Sequence, residues 1–371
     1  MEITLPTHIG FLSFGIWRSG HGSQTRNASD AHLQTIELAE NAERIGLDAA
    51  YLRVHHFADQ LASPYPLLAA IGARTTRIEI GTAVIDMRYE NPLHMAELAG
   101  AADLISGGRL QLGIGRGLPE RGVVDGPAAF GNVPREGQSA DDMAREHTER
   151  FRAAIAGEGV VRAAAPASQP AGPPGGGIAG SGIGHRKAYA THLPIQPQSP
   201  GLSDRIWWGS ATKATARWIA EQGMNLQTAT VLTNPDVDVP FHEAQADMIR
   251  VYREAWAAAG WERAPRVSVG RSVIPLVDDV DRAHFGDRGP RDFDDQTSNF
   301  GGNVVRHARN YVGEPDEIAD LLARDAAVAE ADTLMLAIPS HLGVDYNTQL
   351  LQNVADHVAP AIGWQPSFVA G

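Results

Sequence analysis

The chain has 371 residues, 43% of them hydrophobic and 20% charged, enough to bury one large core or two ordinary ones. A formal charge of -13, from 31 Lys+Arg against 44 Asp+Glu with no basic stripe, argues against nucleic acid and anionic membranes as partners. The absence of cysteine excludes disulfides, thiolate metal sites and a cysteine nucleophile.

Short apolar runs alternate with amphipathic helical patterns. The run Ile9–Gly15 precedes a helix that Ser29-Asp30 can cap, with Leu33, Ile36, Ala39, Ala42 and Ile45 on one face and Gly46 closing it. Ala49–His55 leads to a helix near Pro64–Ala73, and Ile78–Ile85 leads through Asn91-Pro92 to a helix ending at Gly107. Leu110–Gly115 is the fourth strand. After an interruption, Arg205–Trp208 precedes Ser210–Thr215 and a helix ending at Gly223. Asn225–Val231, Val267–Val277 and Thr333–Ile338 complete the strands, followed by helical patterns over Phe241–Ala259, Pro315–Glu330 and Tyr346–Ala359. Eight strand-helix units predict an α/β fold, a closed (β/α)8 TIM barrel with insertions, with a doubly wound sheet as the alternative. One domain over 1–371 is expected. The Ala/Gly/Pro-rich Ala163–Gly184 predicts a mobile loop at about 160–190 and a candidate lid, and the polar stretch at about 278–306 is a second insertion.

The strand Leu110–Gly115 runs into Gly-Arg-Gly-Leu118, so glycines leave Arg116 at the end where a barrel binds ligands. A dinucleotide fingerprint fails on spacing, because the position that needs the third glycine is Leu118, or Glu120 if the motif starts at Gly115. Arg116 can instead reach a phosphate or carboxylate with a rigid fork, or be a solvated arginine on a closing turn. Gly209-Ser-Ala-Thr212 lies between a strand and a helix start, where ordinary capping by Ser and Thr explains the segment taken alone; beside Arg116, free N–H groups with the hydroxyls of Ser210 and Thr212 also suit an anion. His55-His56 follows the second strand, placing one imidazole toward the mouth and the other away, where a histidine can act as a base, hold a ligand's carbonyl, or simply be packed or solvated. Trp207-Trp208 reads as one inward and one outward residue. No zinc-binding helix motif or nucleophile elbow appears, and a metal-dependent isomerase or hydrolase would have to assemble Asp86, Glu90 and His55. Metal: none expected. The start Met-Glu-Ile-Thr-Leu-Pro lacks a basic region with an apolar core, and no run approaches the roughly 18 apolar residues of a membrane span, so a cytoplasmic protein is expected.

Together these residues resemble the bacterial luciferase-like family of flavin-dependent monooxygenases and oxidoreductases. The resemblance rests on Arg109–Leu118 with Phe130-Gly131, on Leu52-Arg-Val-His-His-Phe57 and Ile80–Ile85, on Pro194–Pro200 running into Ile206–Ser210, and on Gly313–Ile318 and His357–Ile362. It implies a barrel holding reduced FMN, or F420 in related branches. Arg116 and the turn of Ser210, Ala211 and Thr212 would hold the phosphate, Leu118 would lie by the cofactor, and Ala83-Val84 would be a non-proline cis peptide against the ring. His55 would be the catalytic acid or base. The glutamate expected before it is Val54 here, which argues against assuming an aldehyde substrate. The implied activity is an FMN-dependent monooxygenase that uses O₂ on a small organic substrate, with a separate flavin reductase as a partner and a homodimer as the assembly. F420-dependent hydride transfer and a non-catalytic flavin-binding partner subunit are the alternatives.

Overall fold

The computed structural model describes residues 6–20, 22–117, 122–163, 192–228, 230–235, 238–286, 296–300 and 303–367. Leu118 and nearly all of the Ala163–Gly184 segment lie outside them. The strands are β1 (His8–Ser13), β2 (Ala49–Leu52), β3 (Glu79–Thr82), β4 (Ile85–Asp86), β5 (Leu110–Gly115), β6 (Gly159–Arg162), β7 (His192–Pro194) and β8 (Ile206–Ser210). They continue as β9 (Asn225–Thr228), β10 (Val231–Thr233), β11 (Val267–Pro275), β12 (Gln296–Phe300), β13 (Asn303–His307), β14 (Asn310–Gly313) and β15 (Thr333–Ala337). Eight of them form a closed parallel ring in the order β1-β2-β3-β5-β8-β9-β11-β15, with β9 paired to β11 and β15 to β1. The (β/α)8 barrel expected from the alternation is therefore the fold.

The helices are α1 (Ala28–Ile45), α2 (Pro64–Arg74), α3 (Pro92–Ile105), α4 (Gly126–Ala129), α5 (Ala140–Ile155), α6 (Lys213–Glu221), α7 (Phe241–Ala259), α8 (Asp279–Phe285), α9 (Pro315–Ala323), α10 (Ala326–Ala329) and α11 (Gly343–His357). Their starts follow side-chain chemistry. Asn91 accepts from the Leu93 and His94 N–H groups ahead of α3, with Pro92 at the first helical position. For α1 the cap is Asn27, accepting from Asp30 N–H, rather than Ser29-Asp30. The helix expected over Pro315–Glu330 is two helices, because Asp325 starts a second one by accepting from Ala327 and Val328 N–H groups. The expected interruption after β5 contains α5, whose Ser139 and Asp142 form a reciprocal capping box. The strand expected over Ile78–Ile85 is divided into β3 and β4 at Ala83-Val84.

Polar side chains close the barrel at the starts of the strands. Arg266 on the approach to β11 donates to both Glu79 carboxylate oxygens, at 2.8 and 2.9 Å. Gln111 donates to Glu79 at 2.9 Å, and the Trp207 indole donates to Gln111 at 2.8 Å. At the other end several inward positions are small: Ala83, Gly209, Gly270 and Ala337 all line a cavity at the carboxyl face. A Cβ on Gly113 would stand 2.0 Å from the Thr82 carbonyl oxygen and 2.3 Å from Gln227 Oε1, so glycine lets β3, β5 and β9 close on one another. The second insertion contributes to a sheet: β12 and β13 pair antiparallel, and β13 pairs with β10 beside the mouth. Between β11 and the start of α10, Arg271 and Asp325 form a fully buried two-pronged pair at 2.7 and 3.0 Å, joined by the Tyr311 hydroxyl. Among the described residues no helix is long and apolar enough to cross a membrane.

Candidate active site

The cavity at the carboxyl ends of the strands has a volume of about 420 Å³, inside the range of roughly 300–1,000 Å³ usual for small-molecule and cofactor sites. It brings together Ala83, Val84, Arg116, Ser210, Ala211 and Thr212, from three separate stretches of the chain. A cleft of about 560 Å³ against α7 shares only Ala211, Thr212 and Thr233 with it.

The peptide between Ala83 and Val84 is cis. Hydrogen bonds hold its surroundings: Ala83 N–H donates to Leu52 O at 2.8 Å, Gln227 Nε2 to Thr82 O at 3.0 Å, and the Thr82 hydroxyl to Gly113 O at 2.7 Å. The Val84 side chain fills the notch left by two glycines, since a Cβ on Gly209 or Gly115 would approach its methyl groups to 3.0 or 3.2 Å.

One wall of the cavity suits an anion. Arg116 lines the cavity and donates through Nη1 to Asp141 at 3.0 Å, with both side chains about half exposed. Arg145, one turn after Asp141 on α5, lies 4.6 Å above the Trp218 ring and also lines the cavity. Ser210 ends β8, and Thr212 is the cap of α6, accepting from Thr215 N–H at 3.3 Å. The Ser210 hydroxyl donates to Thr212 O at 3.0 Å, which fixes the Ser210–Thr212 turn. Two guanidinium groups with several hydroxyls beside a helix start are donors of the kind that an anion requires.

The adjacent histidines part. His55 is half-buried and is not on the cavity wall; its Nε2 accepts from Arg53 Nη2 at 2.8 Å, and Arg53 does line the cavity. His56 turns away, buried, stacked on Tyr89 at 4.2 Å between centroids and meeting Phe130 edge-on at 5.2 Å. Val54 between β2 and these residues is buried in the main core. Of the tryptophans, Trp207 points into the barrel toward Gln111, while Trp208 meets Trp218 of α6 at 5.0 Å. Asp86 accepts from Arg88 Nε at 3.0 Å, and burial, with the Asp86 carboxylate adding to it, pushes Glu90 up to about 7. Among the described residues no group of three potential metal ligands is assembled.

Sequence reading missed Arg53, Asp141 and Arg145. The last two had a signal: Ser139-x-x-Asp142 marks a helix start, and residues 141 and 145 then share a face. Arg53 had one in the alternation Ala49, Tyr51, Arg53, which places it on the inward face.

Comparison with known proteins agrees with this architecture. A stretch of 108 residues is 36% identical to 4-hydroxyprotoasukamycin monooxygenase of Streptomyces nodosus subsp. asukaensis, covering 29% of each chain. A stretch of 110 residues is 32% identical to limonene 1,2-monooxygenase of Rhodococcus erythropolis, covering 29% of this chain and 28% of that one. The matched region thus spans only about three-tenths of these curated relatives. Among solved structures, a monooxygenase from Streptomyces bottropensis superposes with a TM-score of 0.66 at 20% identity, over 95% of this chain and 99% of that one. The oxygenating constituent of 3,6-diketocamphane monooxygenase of Pseudomonas putida, solved with FMN, gives 0.63 at 17% identity over 96% and 98%. An F420-dependent secondary alcohol dehydrogenase gives 0.57 at 16% over 96% and 99%. Residues 11–284 match the luciferase-like monooxygenase family, and the chain belongs to it.

Proposed function

We propose that the protein is a monooxygenase that uses reduced FMN and O₂ to oxidise a small organic substrate, the reduced flavin being supplied by a separate reductase. The observation that carries this reading is the joining, in one cavity, of the Ala83-Val84 cis peptide with the anion-fitted wall of Arg116, Arg145, Ser210 and Thr212. Arg116 and Arg145 would hold the phosphate with the Ser210–Thr212 turn, and Ala83 and Val84 would pack against the ring system. Bound reduced flavin supplies the electrons that activate O₂, while the barrel and the β10-β13-β12 sheet keep water from the reacting atoms. His55 is the proposed acid or base; its link to the cavity is Arg53, which donates to its Nε2. The reductase partner has support in the 34% identity over 86 residues to the oxygenase component of flavin-dependent trigonelline monooxygenase of Acinetobacter baylyi.

The second reading is F420-dependent hydride transfer, favoured by the likeness to the F420-dependent alcohol dehydrogenase. Anaerobic titration of the purified protein with reduced FMN and with reduced F420 separates the two. Micromolar binding of reduced FMN is expected; binding of the deazaflavin alone would overturn the monooxygenase reading.

A further inference from the structure

Several other arginines of the barrel region have carboxylate partners. Arg271 has Asp325, Arg266 has Glu79, Arg205 has Asp103 and Arg88 has Asp86. Arg53 has none among the described residues: its side-chain hydrogen-bond partner is His55 Nε2, which must be the unprotonated nitrogen of a neutral ring to accept, and its guanidinium lies 4.6 Å above Phe14. Burial lowers its pKa with no nearby carboxylate to offset the loss of water. A desolvated cation without a counter-charge is unfavourable, and a ligand anion removes that penalty.

The position is a recognition position. Arg53 follows β2 and lines the cavity together with Leu12, Phe14, Met335 and Ala337, an apolar quarter on β1 and β15. In the ring order β2-β3-β5, the Ala83-Val84 step after β3 stands between Arg53 and the Arg116 wall after β5. The two cationic positions are thus divided between different strands, one beside hydroxyls and one beside apolar side chains.

We propose that Arg53 binds an anionic group of the substrate, a carboxylate or an acidic enol, whose apolar body lies on Phe14, Leu12 and Met335. This rests on the reading of the cavity as the reaction site, with the Arg116 wall taken by the flavin phosphate. The recognition is a charge-assisted fork to paired oxygens, which a neutral amide of the same shape cannot reproduce.

Calorimetric titration of the full chain with benzoate and with its neutral isostere benzamide, each with and without oxidised FMN, tests this. Benzoate is expected to bind at least about tenfold more tightly than benzamide, in line with a hydrogen bond to a charged group. Arg53→Gln should bring that ratio to about 1, Arg53→Lys should keep part of it, and Arg116→Gln should leave it intact. Equal affinity for the two probes, including no measurable binding of either, would overturn the proposal, as would a preference that survives in folded Arg53→Gln. If Arg53→Gln fails to fold, the Arg53→Lys ratio decides: an undiminished preference overturns the proposal. FMN affinity read from the same samples separates the two claims, because a benzoate preference that depends on Arg53 without FMN binding supports the anion site and removes the flavin.

Discussion

Arg116 keeps most of its guanidinium available because its pair with Asp141 is solvent-exposed, and such pairs contribute only about 0–1 kcal/mol. Exchanging that partner for a ligand phosphate therefore costs little. Val54 shows the opposite situation: it is packed in the core, where a glutamate would need a partner for its charge. Glu90 is a carboxyl held away from its usual range. Its unfolded value is about 4.3, and burial, then the Asp86 charge, raises it to about 7. The folded protein therefore holds a proton here that the unfolded chain releases, so this group's contribution to stability declines as pH rises between those values. Glu90→Gln is expected to raise Tm above about pH 7 relative to the parent and to leave it nearly unchanged below about pH 4.3. A Tm difference independent of pH would contradict that assignment.

At the scale of elements, the site depends on glycines that let strands approach one another. Gly113 has no space for a side chain between the Thr82 carbonyl and Gln227, and those two groups are joined by the hydrogen bond that precedes the Ala83-Val84 peptide. Gly113→Ala should lower stability by about 1–3 kcal/mol in chemical denaturation, the usual range for overpacking, and should weaken flavin binding as β3 is displaced. Full stability and unaltered binding would mean that the close approach is not needed. The strands were legible in the sequence because buried parallel strands read as short apolar runs, and helices such as α3 announced themselves through Asn91-Pro92. The pairing of β10 with β13 was not, because it joins residues about seventy positions apart, such as Leu232 with Arg306, and no local pattern records that. Helix α5 escaped for another reason. Its first turns carry Asp141, Asp142, Arg145 and Glu146 and only a short apolar pair, Met143-Ala144, so the apolar spacing of its buried face is thin there.

For the whole molecule, closure of the ring converts eight local units into one mouth and one sealed end. The Glu79-Arg266-Gln111-Trp207 network fills the sealed end, while a cavity remains at the other. Arg116, Ser210, Ala211, Thr212, Ala83 and Val84 could each be picked out in the sequence, yet their convergence and the separation of Arg53 from them follow only from ring order. The formal charge of -13 means that any bound anion is held against the field of the molecule, so the arginines at the mouth must act at contact distance. The central claim is that this mouth holds a flavin phosphate, and one comparison tests it most directly. Dissociation constants of FMN and of phosphate-free riboflavin are measured for the parent and for Arg116→Ala. FMN affinity is expected to fall by roughly 10- to 100-fold, the worth of hydrogen bonds to a charged group, with riboflavin affinity nearly unchanged. Equal losses for both ligands, or none for either, would contradict it.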